Sequence, residues 1–233
     1  MIDLHSHILP QMDDGSKSPE ESRRLLEIMK EQGINTVVAT PHFYARREDP
    51  ETFLRRRREA FEKLPGGQEL PKVLLGAEVA WFSGMKTCEA LNRLQIGNTG
   101  LLLVEMPFSP WTEQTVEEVC QIPMHLGLTP VLAHAERYLD SGKIRKYMEY
   151  FLQNDVLLQC NTYMLKDFWR GRWICKQLEN GNVHFLGSDC HGLQARAPKW
   201  GEATALLKKR LGVQKFDDFV ARSQGLLEQK HVF

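Results

Sequence analysis

The chain has 233 residues, 26% of them charged and 42% hydrophobic, with thirty basic side chains balanced by thirty acidic ones. That length buries a core without disulfides or a structural metal, and it fits a single domain over residues 1–233. Net neutrality argues against a global field that would draw in nucleic acid or an anionic membrane, and five cysteines with no C-x-x-C pair argue against a disulfide framework.

The opening "MIDLHSH" carries no basic region, apolar stretch or cleavage site, so no signal peptide is expected. No apolar run approaches the ~20 residues a bilayer span needs. These features, with the cysteines, predict a soluble protein in a reducing cytoplasm.

In chain order, residues 1–7 read as a short buried strand. Residues 18–33 read as a helix, with Ser18 at the N-cap, Pro19 at N1, Glu21 closing a capping box and Gly33 ending it. Further strands are expected at 34–40, 72–77, 101–104, 130–133, 156–160 and 183–187, and further helices at 49–64, 84–94, 112–126, 140–153, 166–180 and 199–211. Pro123 should kink or shorten the helix that contains it. Seven apolar, β-branched strands alternating with helices predict an α/β fold, a TIM-like barrel. An open doubly wound sheet is the alternative, but no G-x-G-x-x-G follows the first strand.

In such a barrel, chemistry gathers at the C-terminal ends of the strands. After the first strand come His5 and His7, then Asp13 and Asp14. The second is followed by His42, the third by Glu78, the fourth by Glu105 and the fifth by His134. The sixth offers Asn161, and the seventh Asp189 and His191. Any one of these alone is more often a hydrogen-bonded structural group. A His, Asp or Glu at six of seven strand ends is hard to reach by accident. Imidazole and carboxylate donors without thiolates favour Mn, Fe or Zn, and the surplus of donors predicts a cluster of two or three ions with a carboxylate such as Glu78 bridging. His125, His184 and His231 fall in a helix, inside a strand and in the tail, and are left out of the site.

Arg137 and Arg196 stand just beyond ligands, where guanidinium groups would hold an anionic substrate. The run "RRRR" at 55–58 spreads around a helix with Glu51, Glu59 and Glu62 nearby, which reads as a solvated face rather than a nucleic-acid patch. Phe43, Tyr44, Phe108, Trp111 and Tyr138 follow ligands closely and either floor a pocket or pack beneath the loops.

"SDCHGLQAR" (188–196) also carries the C-x5-R spacing of cysteine-dependent phosphatases. Such a loop wraps phosphate in backbone amides and lowers its thiol pKa at a helix N-terminus. Here there is a single glycine, Gly192, and Asp189 directly precedes Cys190, which would raise the thiol pKa. On a strand Cys190 would also face away from Asp189 and His191. The metal reading is preferred, and Arg196 serves phosphate within it.

The segments "DLHSH", "TPH", "GAE", "AHAER" and "SDCH" resemble the PHP (polymerase and histidinol phosphatase) superfamily of distorted (β/α)7 barrels with a trinuclear metal site. "MIDLHSHILPQMDDGSKSPEES" and "TPVLAHAERY" resemble, more narrowly, its bacterial protein-tyrosine phosphatases encoded with capsule and exopolysaccharide genes. The resemblance implies three divalent ions, manganese foremost, with iron or zinc as alternatives. It assigns His5, His7, Glu78 and Asp189 to the first, Glu78, Glu105 and His134 to the second, and Asp14, His42 and His191 to the third. It makes Arg137 and Arg196 the substrate-binding arginines, and it implies direct hydrolysis by metal-activated water of phosphotyrosine on the tail of a bacterial tyrosine kinase. Histidinol phosphatases of the superfamily tend to carry histidine where this chain has Asp14 and Glu105. The rival readings are a small-molecule phosphoesterase such as a histidinol-phosphate phosphatase, a nuclease or polymerase-associated domain, and a non-catalytic binding module with structural metals.

Overall fold

The apolar runs form parallel strands and the helical patterns pack around them. A computed structural model describes residues 1–64, 66–67, 69–139, 142–194 and 196–229, so His231 and the first two residues of the helix expected from 140 lie outside the described residues. The strands are β1 (Ile2–Ser6), β2 (Thr36–Ala39), β3 (His42–Phe43), β4 (Lys72–Leu75), β5 (Glu78–Ala80), β6 (Leu101–Glu105), β7 (Thr129–Leu132), β8 (Leu157–Asn161) and β9 (Phe185–Gly187). The helices are α1 (Pro19–Glu31), α2 (Pro50–Glu62), α3 (Glu113–Cys120), α4 (Ile122–Leu126), α5 (Gly142–Gln153), α6 (Phe168–Glu179), α7 (Trp200–Leu211) and α8 (Val213–Glu228).

The strands pair in parallel in the orders β1-β2-β4 and β3-β5-β6-β7-β8-β9. The strands expected at 34–40 and 72–77 each continue past a break, into β3 and β5, because Pro41 has no N–H to donate and Gly76 precedes a second irregularity. Pairing nonetheless carries across both breaks: Gly76 N–H donates to Ala39 O at 2.9 Å and Glu78 N–H to Pro41 O at 3.0 Å. The last strand returns to the first through a parallel bridge between Ser6 and Cys190, with Asp189 N–H donating to His5 O at 2.7 Å. The nine segments are therefore seven strands of a distorted TIM-like barrel.

Alternation along the strands divides the core. Leu4, Val38, Leu101, Leu103, Val131 and Phe185 form one buried cluster, and Leu227 of α8 joins it. The residues between them, such as Leu102, Val104, Leu132 and Leu186, belong to the larger layer shared with the helices. That α8 exists is not evident from strand–helix alternation, since Gly212 alone separates it from α7 and no strand intervenes.

Several expectations need correction. Residues 84–94 do not form a helix but two 3-10 turns, Met85–Thr87 and Glu89–Arg93. Thr87 Oγ1 bonds back to Gly84 O, and the extended Cys88 separates the turns. The stretch 112–126 splits into α3 and α4 at Gln121, with Pro123 in the first turn of α4, as a residue without an N–H requires. At α1, Ser18 Oγ accepts from Glu21 N–H, but the Glu21 carboxylate turns to Lys17 N–H at 2.7 Å and leaves the capping box open. His184 precedes β9, and its Nδ1 accepts from Leu158 N–H at 3.1 Å.

Candidate metal centre

Glu78, the first residue of β5, is buried at the centre of a ring of imidazoles. Its Oε1 lies 2.9 Å from His134 Nε2, and its Oε2 lies 3.2 Å from His5 Nε2, 3.4 Å from His7 Nε2 and 2.9 Å from His42 Nδ1. Burial pushes the carboxyl pKa up, but His5, His134 and His42 outweigh it and hold Glu78 well below the usual range. Neither Glu78 Oε2 nor His42 Nδ1, both buried, makes a hydrogen bond. Donor atoms packed this closely without hydrogen bonds fit a shared cation, and the oxygen and nitrogen donor set suits a divalent first-row metal.

His5 and His7 lie two apart at the end of β1, and their Nε2 atoms face each other at 3.1 Å. Each ring is fixed from behind. His5 Nδ1 meets Gln159 Oε1 at 3.1 Å, an oxygen that also accepts from His134 N–H at 2.8 Å. Gln159 Nε2 donates to Asn161 Oδ1 at 3.0 Å, and Asn161 Nδ2 donates to Asp189 Oδ2 at 2.9 Å. His7 Nδ1 meets Asp13 Oδ2 at 2.7 Å, which also accepts from His42 N–H at 3.0 Å. With Nδ1 so engaged, both rings turn Nε2 towards Glu78.

The turn that delivers Asp13 depends on Gly15. A Cβ there would come within 2.1 Å of His7 O, a contact no other residue could avoid. At the far end of the barrel ring, a Cβ on Gly187 would meet His5 Cβ at 2.6 Å. His134 and Asp189 have φ of 35° and 51°, a left-handed backbone that costs non-glycine residues roughly 1–3 kcal/mol each. Both carry candidate donor side chains into the centre.

Of the outer donors, Asp14 and His191 stand on loops, whereas His42 begins β3 and Glu105 ends β6. Asp14 Oδ1 lies 3.3 Å from His191 Nε2 and 3.6 Å from His42 Nε2, and Glu105 Oε1 lies 3.3 Å from His134 Nε2. Three overlapping groups, His7–Asp14–His42–His191, His5–His7–Asp189 and His42–Glu78–Glu105, each bring one donor atom per residue within 4.8 Å of one another. Every one of His5, His7, Asp14, His42, Glu78, Glu105, His134, Asp189 and His191 thus lies in one constellation.

Both arginines converge on it. Arg196 pairs through Nη2 with Asp189 Oδ2, and Arg137 Nη1 lies 3.9 Å from the same oxygen. Arg196 Nη1 is 3.0 Å from His191 Nε2. Of the five aromatics, Phe43, Trp111 and Tyr138 are buried packing, whereas Phe108 is 66% exposed and Tyr44 half-buried. Phe108 stacks near His134 with the Arg137 guanidinium over its ring at 5.9 Å, and Tyr44 stacks on His42 with Arg47 over it at 4.6 Å. In the arginine run Arg57 is buried rather than solvated: it donates to Gly76 O at 2.6 Å, beside the break between β4 and β5. Cys190 is fully buried in the hydrophobic core, and burial together with the Asp3 carboxylate pushes its thiol pKa up. It has neither the exposure nor the ionisation of a nucleophile.

Asp3, Gln159 and Glu136 are not singled out by the sequence, and Asp13, which follows the first strand beside Asp14, buttresses His7 instead of joining the donors. Asp3 accepts from Ser188 N–H and Trp200 Nε1–H, both at 2.8 Å, and so ties β1 to the segment bearing Asp189. Glu136 Oε2 accepts from Asn161 N–H at 3.2 Å. The one available signal was the i, i+2 spacing of Gln159 and Asn161 on β8, which puts both side chains on the same face.

The family model for capsular polysaccharide synthesis proteins CpsB/CapC matches residues 1–227. This chain belongs to the CpsB/CapC family. The tyrosine-protein phosphatase CpsB of Streptococcus pneumoniae is 32% identical over 235 residues, covering 92% of this chain and 93% of its own. A solved chain from the crystal structures of Bacillus subtilis YwqE and S. pneumoniae CpsB, described as metal-dependent tyrosine phosphatases, superposes with a TM-score of 0.83 at 25% identity, covering 100% of this chain and 96% of that one. The phosphotriesterase of Mycobacterium tuberculosis shares the fold, with a TM-score of 0.60 at 13% identity over 100% of this chain and 95% of that one.

Proposed function

We propose that this CpsB/CapC family member is a metal-dependent protein-tyrosine phosphatase, one domain over residues 1–233. The observation that carries the reading is the convergence of Arg137 and Arg196 on Asp189, inside the ligand constellation. Two guanidinium groups held together on a ligand carboxylate are placed to take the oxygens of a phosphate that enters beside them.

Three divalent ions, manganese foremost, fit the donors. His5, His7, Glu78 and Asp189 would hold the first, Glu78, Glu105 and His134 the second, and Asp14, His42 and His191 the third. When bound, such ions supply Lewis acidity, making hydroxide available at neutral pH and drawing charge from phosphoryl oxygens. The chain's own residues do the rest. Gln159 and Asp13 orient the imidazoles of His5 and His7. Arg137 and Arg196 bind the phosphate and stabilise the charge on its equatorial oxygens as the ester breaks. Phe108 and Tyr44 flank the ligands and offer ring faces to a phenyl ester. Phenolate, with a pKa of about 10, leaves with modest proton assistance.

The physiological substrate in this reading is a phosphotyrosine-bearing protein, the tail of a bacterial tyrosine kinase of capsule or exopolysaccharide synthesis. No helix of the described residues is long and apolar enough to cross a membrane. The five free cysteines suit a reducing cytoplasm. A panel of phosphotyrosyl peptide, phosphoseryl peptide and histidinol phosphate tests the assignment. The phosphotyrosyl peptide should have the highest kcat/KM, and a preference for histidinol phosphate would overturn it in favour of a small-molecule phosphoesterase.

A further inference from the structure

A cavity of about 910 Å3, lined by none of the candidate ligands, lies between α5 and α6. Its floor is apolar, with Leu139, Met148, Leu152 and Leu158, and Trp169 and Trp173 form part of its wall. Arg145 and Lys176 line it against one acid, Glu149, while the Arg170 guanidinium beside them lies 3.8 Å from the Asp167 carboxylate. Arg145 and Lys176 are exposed, and neither pairs with a described carboxylate. Trp169 is 78% exposed and meets the exposed Phe168 edge-on at 5.0 Å. So much uncovered aromatic surface beside cations is the composition of a recognition site.

The groove adjoins the catalytic mouth. Helix α6 follows β8 at the C-terminal ends of the strands, and Arg170 Nε donates to Glu136 O at 3.3 Å, next to Arg137. Leu139, in the groove lining, is two residues beyond Arg137. A substrate held by its phosphate at Arg137 would bring its flanking residues to the groove.

We propose that the α5–α6 groove is a second binding site, which takes an acidic, tyrosine-bearing segment of the substrate protein flanking the scissile phosphotyrosine. The inference rests on the phosphatase reading above. Carboxylates on that segment pair with Arg145 and Lys176, and a tyrosine ring packs against Trp169. The concave shape, with a volume in the range of ligand clefts, favours a peptide over a flat membrane surface.

The direct probe is an unphosphorylated copolymer of glutamate and tyrosine, with binding read by tryptophan fluorescence. The R145E/K176E variant should weaken binding at least tenfold and W169A several-fold, with melting temperatures unchanged because all three side chains are exposed. In kinetics, KM for a phosphotyrosyl peptide with an acidic, tyrosine-containing flank should rise about tenfold in R145E/K176E. Its kcat should hold, as should turnover of p-nitrophenyl phosphate, which is too small to reach the groove. Copolymer binding that is absent, or unaffected by these substitutions, overturns the proposal. So does binding to vesicles containing 30% phosphatidylglycerol that the variants abolish while the copolymer is ignored, which would make the surface a membrane contact. If the metal-loaded protein hydrolyses neither phosphate ester, the phosphatase reading fails instead, and copolymer binding alone then judges the groove.

Discussion

The inner and outer halves of the candidate metal centre are built differently. The inner donors His5, His7, Glu78 and Asp189 are buried, and His5, His7 and Asp189 are each held from behind by Gln159, Asp13 or Asn161. The outer donor Asp14 has a side chain 66% exposed, with the His191 and His42 imidazoles 3.3 and 3.6 Å from its carboxylate. The electrostatics diverge too, across rings only 3.9 Å apart. Burial opposes charge on His7, but its bond to Asp13 and the neighbouring Glu78 carboxylate win and raise its pKa to about 10. On His191 burial prevails, reinforced by His7 and Arg196, and the pKa falls to about 4. The inner half is a preorganised, electronegative socket, and the outer half is completed by the loops that carry Asp14 and His191.

The contrast can be broken at its centre first. Glu78→Gln removes the carboxylate common to four imidazoles, and should cost about a thousandfold in kcat together with most of the bound metal, measured by elemental analysis. Gln159→Leu and Asp13→Asn touch no substrate. As positioning changes they should lower metal affinity about 10–100-fold, with activity partly rescued by excess metal. Asp14→Asn should be milder, about tenfold, and recoverable at high metal concentration. If it proved as damaging as Glu78→Gln, the division into two halves would be wrong.

A pH series sharpens the same contrast. In metal-stripped protein the raised pKa of His7 gives stabilisation that is complete below about 6.5, its unfolded value, and is lost as pH rises through about 10. Bound metal replaces that proton, so the melting-temperature gap between loaded and stripped protein should widen from pH 6.5 to 10. His191 has the opposite sign: it is neutral in the fold and destabilises the stripped protein as pH falls from 6.5 towards 4. A gap that narrows with rising pH would contradict the assignment. The smallest effect belongs to Cys190→Ser, expected within about twofold of wild-type activity because the thiol is buried and held protonated.

The donors were legible in the sequence because a parallel barrel puts strand ends together, so His42, Glu78, Glu105 and His134 follow from where apolar runs stop. The residues that aim them were not. Gln159 and Asp3 look like ordinary strand residues, and their partners lie 154 and 185 residues away. The turns at 84–94 misled because their composition suits a helix, whereas Gly84 and Cys88 set the backbone otherwise. The buried Arg57 is likewise hidden in a run whose neighbours Arg55 and Arg56 pair with Glu59 and Glu48 at the surface.

The most direct test of the metal centre is phosphate release from a tyrosine-phosphorylated peptide by protein as purified, chelator-stripped, and stripped then resupplied with manganese. Loss of activity on stripping and its return with manganese is the predicted result. Activity that survives complete stripping would contradict a metal mechanism and return attention to Cys190.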